Sequence, residues 1–146
     1  MNAKEYLLQL QRYDRIIENT MCEIARYREM AESTGMGKHD DVKVQTTRRH
    51  DRMESAIVSY VELEEQLSRI MKDAAKAKME IISTIQQLPT NEYDVLHKAY
   101  VQYKTFYEIA NMVDKSYRWV TMTHGKAVTS LQKILDAMKT EKKVVV

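Results

Sequence analysis

The chain has 146 residues and a formal net charge of only +2, although 30% of its residues are charged. This balance argues against a polybasic tail and indicates helices with solvated faces. Three glycines and one proline are too few for a protein built of strands and hairpins, and a single cysteine excludes an internal disulfide and a cysteine-based zinc site.

The first predicted element is one amphipathic helix from Ala3 to about Glu32, in which Asp14 and Arg28 interrupt the apolar stripe. Two glycines within residues 33–38 predict the end of this helix. The polar stretch 39–47 predicts a loop, so that a break is expected near 33–47. The stripe itself recurs at steps of three and four residues or their multiples and consists of Leu7, Leu10, Ile17, Met21, Ile24 and Ala31.

The second predicted helix is long, with Thr46 or Thr47 as its N-cap and Pro89 as the residue that ends it. A regular seam of this length requires a helical partner. Two alternatives stay open: the first helix folds back on the second, or the seam pairs with another chain. The seam comprises Met53, Ala56, Tyr60, Leu63, Leu67, Ile70, Ala74, Ala77, Ile81, Ile85 and Leu88.

Pro89 marks the predicted domain boundary, between a helical arm at 1–88 and a compact module at 89–146. Thr90 and Asn91 are expected to cap a short helix whose first turn carries Glu92 and Asp94. The fold predicted overall is all-α, with a long helical hairpin or coiled-coil arm followed by a helix-turn-helix module.

A capping box, Thr105 with Glu108, predicts the start of the next helix. Ser116 predicts a second N-cap only about a dozen residues later. The first of these helices places Ile109, Ala110 and Val113 at core spacing, and the second is expected to bury Val120, Ala127, Leu131 and Leu135. Two capped helices so close together are typical of a helix-turn-helix.

In such a motif the second helix lies in the major groove of DNA, and residues near its N-terminus contact the bases. Arg118 is the expected bidentate reader of guanine. Phosphate contacts are expected to fix the register without reading sequence. The predicted base-reading residues are Tyr117, Arg118, Thr121 and Met122, and the predicted phosphate-binding residues are Thr105, Lys115, Ser116 and Lys126.

The spacing of these residues resembles region 4 of sigma-70 factors over about residues 88–135. The matching pieces are Leu96-x3-Tyr100, Thr105-x2-Glu108-Ile109-Ala110, Ser116-x3-Val120 and Ala127-x3-Leu131. The whole layout is similar to phage-encoded sigma-70 region 4-like proteins, among them the ArpU and RinA types of phage regulator. The resemblance implies control of phage transcription. Because nothing in residues 1–88 matches sigma region 2, a complete sigma factor is not expected.

The sequence offers no pattern for catalysis, a metal or a cofactor, so we do not expect an enzyme. The four histidines lack metal-ligand spacing, and Cys22 lacks a partner histidine pattern, which favours a buried or half-buried thiol. Trp119 is expected to be buried under the loop or the preceding helix. Packing is also the expected role of the aromatic residues Tyr93, Tyr100, Phe106 and Tyr107.

The predicted function is therefore sequence-dependent binding of double-stranded DNA by a cytoplasmic phage or prophage regulator. A homodimer formed through the arm is expected to aid affinity and half-site reading. No apolar run approaches the roughly 18 residues of a membrane span. Two alternatives are a module that binds RNA polymerase or a sigma factor, and a small terminase-like DNA-packaging subunit.

Overall fold

The computed structural model describes residues 1–35 and 43–144, and side chains within 1–32 and 48–144. These ranges contain helices and no strand, which confirms the predicted all-α class. None of the helices described is long and apolar enough to cross a membrane. The helices are α1 (Ala3–Gly35), α2 (Lys43–Ile85), α3 (Thr90–Leu96), α4 (Phe106–Val113) and α5 (Tyr117–Val144), with a π-helical segment at His97–Val101 between α3 and α4.

Helix α2 begins earlier than its sequence predicts. Its first residue is Lys43, so residues 43–47, expected as a loop with an N-cap at Thr46 or Thr47, are helical. Neither glycine nor proline occurs in 43–47, and extending a helix that has already nucleated costs little. The remainder of the predicted loop, 36–42, lies outside the described residues.

The described chain divides into two compact units, which do not coincide with the predicted domains. Unit 1 comprises Met1–Arg12 and Ala75–Val146, and unit 2 comprises Tyr13–Ala74. The boundaries of the units therefore fall within α1 and α2, whereas the boundary predicted at Pro89 lies inside unit 1.

In unit 2, α1 and α2 contact one another through charged, aromatic and apolar side chains. The guanidinium of Arg28 forms an ion pair with Glu64 and lies over the ring of Tyr60, 5.7 Å from its centroid. Ile24 and Ala56 are buried. Both ends of the ion pair are well exposed, so its contribution to stability is small, and apolar burial is the main stabilising term.

The apolar stripe of α1 differs from its prediction at one position. Met21 is 55% exposed, while Thr20 is buried and its hydroxyl donates to the carbonyl of Ile16 at 2.7 Å. The less exposed face passes through Tyr13, Thr20 and Tyr27, so Asp14 lies beside the stripe rather than interrupting it. Because 3.6 residues form a turn, the buried face shifts along a long helix, and steps of three replace steps of four.

The seam predicted on α2 coincides with the less exposed face of that helix. Every member from Met53 to Leu88 is buried or half-buried. Complete burial is confined to the ends, at Ala56 and at Ile81, Ile85 and Leu88. The middle of the seam, from Tyr60 to Ala77, is only half-buried.

Unit 1 has a core assembled from α1, α2, α3 and α5. The start of α1 is held on α5, because the backbone N–H of Ala3 donates to Oε1 of Gln132 at 2.7 Å. The hydroxyl of Tyr6 donates to Oγ1 of Thr84 at 3.0 Å. The buried cluster consists of Ala3, Leu7, Leu10, Ile81, Ile85, Leu88, Leu96, Ala127, Leu131 and Leu135.

The segment between α2 and α4 contains two departures from the simple sequence reading. The N-cap of α3 is Pro89 itself, with no side-chain hydrogen bond, so the caps predicted at Thr90 and Asn91 are wrong. After α3 the backbone continues into the π-helical segment. It then turns at Tyr103, whose φ of 58° is left-handed, a conformation that non-glycine residues adopt at a cost.

Candidate nucleic-acid interface

The N-terminus of α4 is closed by the predicted capping box. The backbone N–H of Glu108 donates to Oγ1 of Thr105 at 3.2 Å, and the backbone N–H of Thr105 donates back to the Glu108 carboxylate at 3.4 Å. Two otherwise unpaired amides are thereby satisfied. The prediction that α4 starts after Thr105 is confirmed.

A three-residue turn, Asp114–Ser116, joins α4 to α5. Asp114 is the C-cap of α4 and is left-handed, with φ 55° and ψ 49°. The backbone N–H of Asp114 donates to the carbonyl of Ala110, and that of Lys115 donates to the same oxygen at 3.0 Å. These bonds end α4 abruptly, as left-handed C-caps do, and the chain re-enters a helix within three residues.

Helix α5 begins after the second predicted cap. The hydroxyl oxygen of Ser116 accepts a hydrogen bond from the backbone N–H of Trp119 at 3.0 Å. Its carbonyl accepts the N–H of Val120 at 3.1 Å, as the first bond of the helix. Helix α5 as a whole runs for 28 residues, about 42 Å at 1.5 Å per residue.

A small buried cluster lies beneath the turn and holds α4 and α5 together with α3. Val95, Ile109 and Val120 are fully buried, and Ala110 is 8% exposed. Phe106, Val113 and Trp119 pack against this cluster from the side. Trp119 is half-buried, although its sequence context predicts burial. Nζ of Lys115 lies 5.7 Å from its ring centroid, within the range of a cation–π contact.

The outer face of α5 carries the four residues predicted to read bases. Tyr117, Arg118, Thr121 and Met122 are all exposed, while Val120 and Thr123 are buried. Their spacing places the four side chains on one side of the first two turns. The structure thus brings the predicted base-reading set together at the N-terminal end of α5.

The predicted phosphate-binding residues differ in whether their polar groups are already bonded. Lys115, Ser116 and Lys126 are exposed. Within the part of the chain that the structure describes, neither lysine has an ion-pair partner. The hydroxyl of Thr105 is already bonded, because it donates to Oε1 of Glu108 at 3.2 Å. A phosphate at Thr105 would have to displace that bond beside a carboxylate.

Exposed aromatic rings extend the surface from α5 onto α4. The rings of Tyr107 and Tyr117 stack with centroids 4.4 Å apart and an angle of 28° between their planes. Tyr107 is 68% exposed, so the packing expected of it is limited to this contact at the surface. The stack places Tyr117 against α4, in an arrangement of the kind that aromatic pairs favour.

Behind the exposed face, His124 joins α5 to the segment before α4. Nε2 of His124 lies 2.8 Å from the hydroxyl of Tyr100, and its ring lies 5.0 Å from that of Phe106. Burial, and secondarily the charge of Lys4, lowers the pKa of His124 below its ordinary 6.5. Burial also raises the pKa of Tyr100 above 10.0. The low pKa favours a neutral imidazole, which suits a role in packing.

Two features of the site went unrecognised in the sequence. His124 was one of four scattered histidines, and its position in the sequence does not single it out. Gly125 lies on the exposed side of α5, and a Cβ at this position would meet nothing within 4 Å. A glycine inside a helix reduces stability, so its presence within the predicted helix was the signal in the sequence, while its exposure and its lack of a packing role come from the structure.

No group of three or more potential metal ligands occurs in the described residues. Cys22 is exposed, not buried as expected. Comparison with known proteins gives no match: no family model fits the sequence, and no characterised protein or solved structure is significantly similar to the chain.

Proposed function

We propose that the protein is a DNA-binding transcriptional regulator of a phage or prophage, in which α4 and α5 form a helix-turn-helix. One observation carries the proposal. Two helices with side-chain caps follow one another across the turn Asp114–Ser116, over a buried cluster, and the second presents four predicted readers on its outer face. The resemblance to sigma-70 region 4 supports the same assignment.

The dimensions of α5 suit the major groove. With its side chains a helix is about 10–12 Å across, and the major groove of B-DNA is about 12 Å wide. Tyr117, Arg118, Thr121 and Met122 lie in the first two turns of α5, where a recognition helix contacts base edges. The guanidinium of Arg118 is the group best suited to a bidentate bond with guanine O6 and N7.

Charge around the turn favours a polyanion. From Tyr103 to Lys143 the chain carries eight Lys or Arg and four Asp or Glu. Glu108 is engaged in its capping box and lies 3.9 Å from Nζ of Lys104. Lys115 and Lys126 flank the face and are proposed to contact phosphates, together with Ser116. An excess this modest predicts weak, salt-sensitive affinity for a single module.

We propose that the α1–α2 region is a helical arm that pairs two copies of the chain. In unit 2 the two helices contact one another through Arg28 and Glu64, and the middle of the α2 seam remains half-buried. A second chain covering that seam would remove more apolar surface from water. A dimer would place two reading helices on two half-sites, and light scattering of the full chain measures its stoichiometry.

The decisive experiment compares DNA binding by the wild type and Arg118→Ala at two salt concentrations. The duplexes are sequences that the wild-type protein selects from a randomised pool of DNA. Loss of a bidentate contact is expected to cost about 1–3 kcal/mol and to relax specificity at one base pair. Lys126→Ala should instead weaken all duplexes evenly and reduce the salt dependence.

Lys139→Ala is the matched control. Lys139 is exposed on the same helix, 21 residues from Arg118 and so about 31 Å along the axis. The control removes the same charge far from the reading face and should change specific affinity little. Failure of the wild type to retain any duplex, or equal loss in Arg118→Ala and Lys139→Ala, would disprove major-groove reading by Arg118.

A second candidate function is a protein-interaction module that binds RNA polymerase or a sigma factor. The observation favouring it is the size of the side chains exposed around the turn, since Tyr107, Met112, Tyr117 and Met122 are 45–68% exposed. Exposed apolar patches on small proteins commonly mark partner sites. This candidate predicts that the protein binds no duplex specifically. It also predicts binding to RNA polymerase or a sigma factor that Tyr107→Ala abolishes.

A further inference from the structure

We infer that α5 recognises thymine 5-methyl groups beside a single guanine, with its backbone at Gly125 lying close to the duplex. The inference rests on the proposed function and specifies the class of DNA that the same face selects. It follows from which groups on that face still have hydrogen atoms to donate. Arg118 contributes a guanidinium, and Tyr117, which is stacked on Tyr107, contributes a hydroxyl. The rest of the face, Thr121, Met122 and Gly125, offers a methyl group, a thioether and bare backbone.

The hydroxyl of Thr121 is already used. It donates to the backbone carbonyl of Tyr117 at 3.0 Å, so no hydrogen remains for a base, and the oxygen retains only acceptor capacity. The methyl group is the other substituent on the same Cβ, and it faces away from that bond. Thr129, one turn beyond Gly125, repeats the arrangement by donating to the Gly125 carbonyl at 3.0 Å.

Met122 adds a second apolar group to the face. It is 54% exposed and lies next to Thr121, with a flexible thioether that adapts to irregular apolar surfaces. In the major groove, thymine is the base that presents a methyl group, and threonine methyls and other apolar side chains are its usual contacts. Two adjacent apolar readers therefore favour thymine over cytosine.

Arg118 is the one guanidinium on this part of α5. The other strong hydrogen-bond donors near the turn, Lys115 and Lys126, are lysines at the flanks of the face. A single fork of donors selects a single guanine through O6 and N7. The combination predicts one strongly specified G·C pair adjoining base pairs with thymine on the strand that faces Thr121 and Met122.

Gly125 indicates how closely the partner approaches. A Cβ at this position would meet nothing within 4 Å, so packing within the chain does not require glycine there. The residue lies one turn after Thr121 on the same face. Glycine in such a place permits a close approach of helix backbone to a ligand, and the basic flanks Lys115 and Lys126 identify that ligand as the polyanionic duplex.

The test replaces single thymines by deoxyuridine in a duplex selected by the full-length wild-type protein. Deoxyuridine lacks only the 5-methyl group, so each contacted thymine should lose about fourfold in affinity, the contribution of one buried methyl. In Met122→Ala, one of these positions should no longer respond to the replacement. Replacing the guanine assigned to Arg118 by 7-deazaguanine should weaken duplex binding by the wild type. The same replacement should leave binding by Arg118→Ala nearly unchanged.

Gly125→Leu tests the close approach. A Cβ at position 125 meets nothing within 4 Å in the folded chain, so the variant should fold with an unchanged helical spectrum. Its added bulk should reduce the affinity for the duplex at least tenfold. Ala137→Leu is the control, because it adds bulk at another exposed position of the same helix, 12 residues further along α5. That control should bind the selected duplex like wild type.

The outcomes distinguish DNA binding itself from recognition of thymine methyl groups. If the wild type retains no duplex, the proposed function is overturned and the inference with it. If it selects a duplex but deoxyuridine at every thymine position leaves the affinity unchanged, DNA binding stands and methyl recognition is overturned. If Gly125→Leu binds like wild type, the close approach of the backbone is overturned.

Discussion

The hydroxyl of Tyr100 and Nε2 of His124 lie 2.8 Å apart, and their rings stack with an angle of 24° between the planes. This pair joins the segment before α4 to the second turn of α5. It therefore positions the exposed face of α5 from behind, through a hydrogen bond between residues 24 positions apart in the chain.

The burial of His124 makes stability depend on pH. The pKa of His124 is lowered by burial in the folded chain and returns to about 6.5 on unfolding, so the unfolded chain binds the proton more readily. Stability is present above pH 6.5 and is lost as pH falls through the lower folded-state pKa. Urea unfolding at pH 7.5 and pH 5 should show this loss, and His124→Gln should reduce it.

His97 provides the comparison, because burial and Lys98 lower its pKa as well. His97→Gln should remove a further part of the acid sensitivity, and the double variant should have the flattest dependence on pH. Tyr100→Phe should cost about 1 kcal/mol at pH 7.5, as a lost hydrogen bond does. An unchanged pH dependence in His124→Gln would contradict the assignment.

Removal of the capping box should weaken α4 measurably. Thr105→Ala leaves the Glu108 amide without its acceptor and is expected to lower the free energy of unfolding by about 1 kcal/mol. Thr105→Ser keeps the hydroxyl and should remain close to wild type. Chemical denaturation of the three proteins at neutral pH makes the comparison, and equal stability of the alanine and serine variants would count against the box.

The left-handed C-cap at Asp114 predicts an order among substitutions. Its φ of 55° is a conformation that glycine adopts without cost and alanine does not. Asp114→Gly should therefore be more stable than Asp114→Ala by about 1 kcal/mol. The melting temperatures of the two variants measure the difference, and the reverse order would show that the turn has another conformation.

Gly125→Ala should stabilise the protein. A Cβ meets nothing within 4 Å, and replacing glycine by alanine inside a helix adds about 1 kcal/mol. Ala137→Gly is the mirror-image control, since Ala137 is exposed on the same helix and should lose a similar amount. Destabilisation by Gly125→Ala would mean that the residue is required by packing after all.

Substitutions in the buried cluster beneath the turn should lower the free energy of unfolding far more than substitutions on the surface above it. Ile109 is fully buried, whereas Met112 on the same helix is 50% exposed. Ile109→Ala is expected to cost about 2–5 kcal/mol through the cavity it leaves, and Met112→Ala well under 1 kcal/mol. Equal losses in denaturant unfolding would contradict the burial of Ile109.

The elements that sequence predicted correctly depend on neighbouring residues. The box of Thr105 with Glu108 and the cap at Ser116 each join residues three positions apart. The seam of α2 also follows from periodicity, because residues that repeat every three or four positions share one face of a helix. Local spacing therefore determined where α4 and α5 begin and which sides of α2 and α5 are covered.

Tertiary structure decided what lies between elements. On α1, Thr20 is buried and Met21 is exposed because the covered face shifts along a long helix. The spacing of apolar residues in the sequence does not show that shift. The contacts of Tyr107 with Tyr117, and of Tyr100 with His124, join separate helical segments. Sequence specifies which residues each helix presents, but only the packing angles between helices bring particular side chains together, since those angles depend on all the contacts at once.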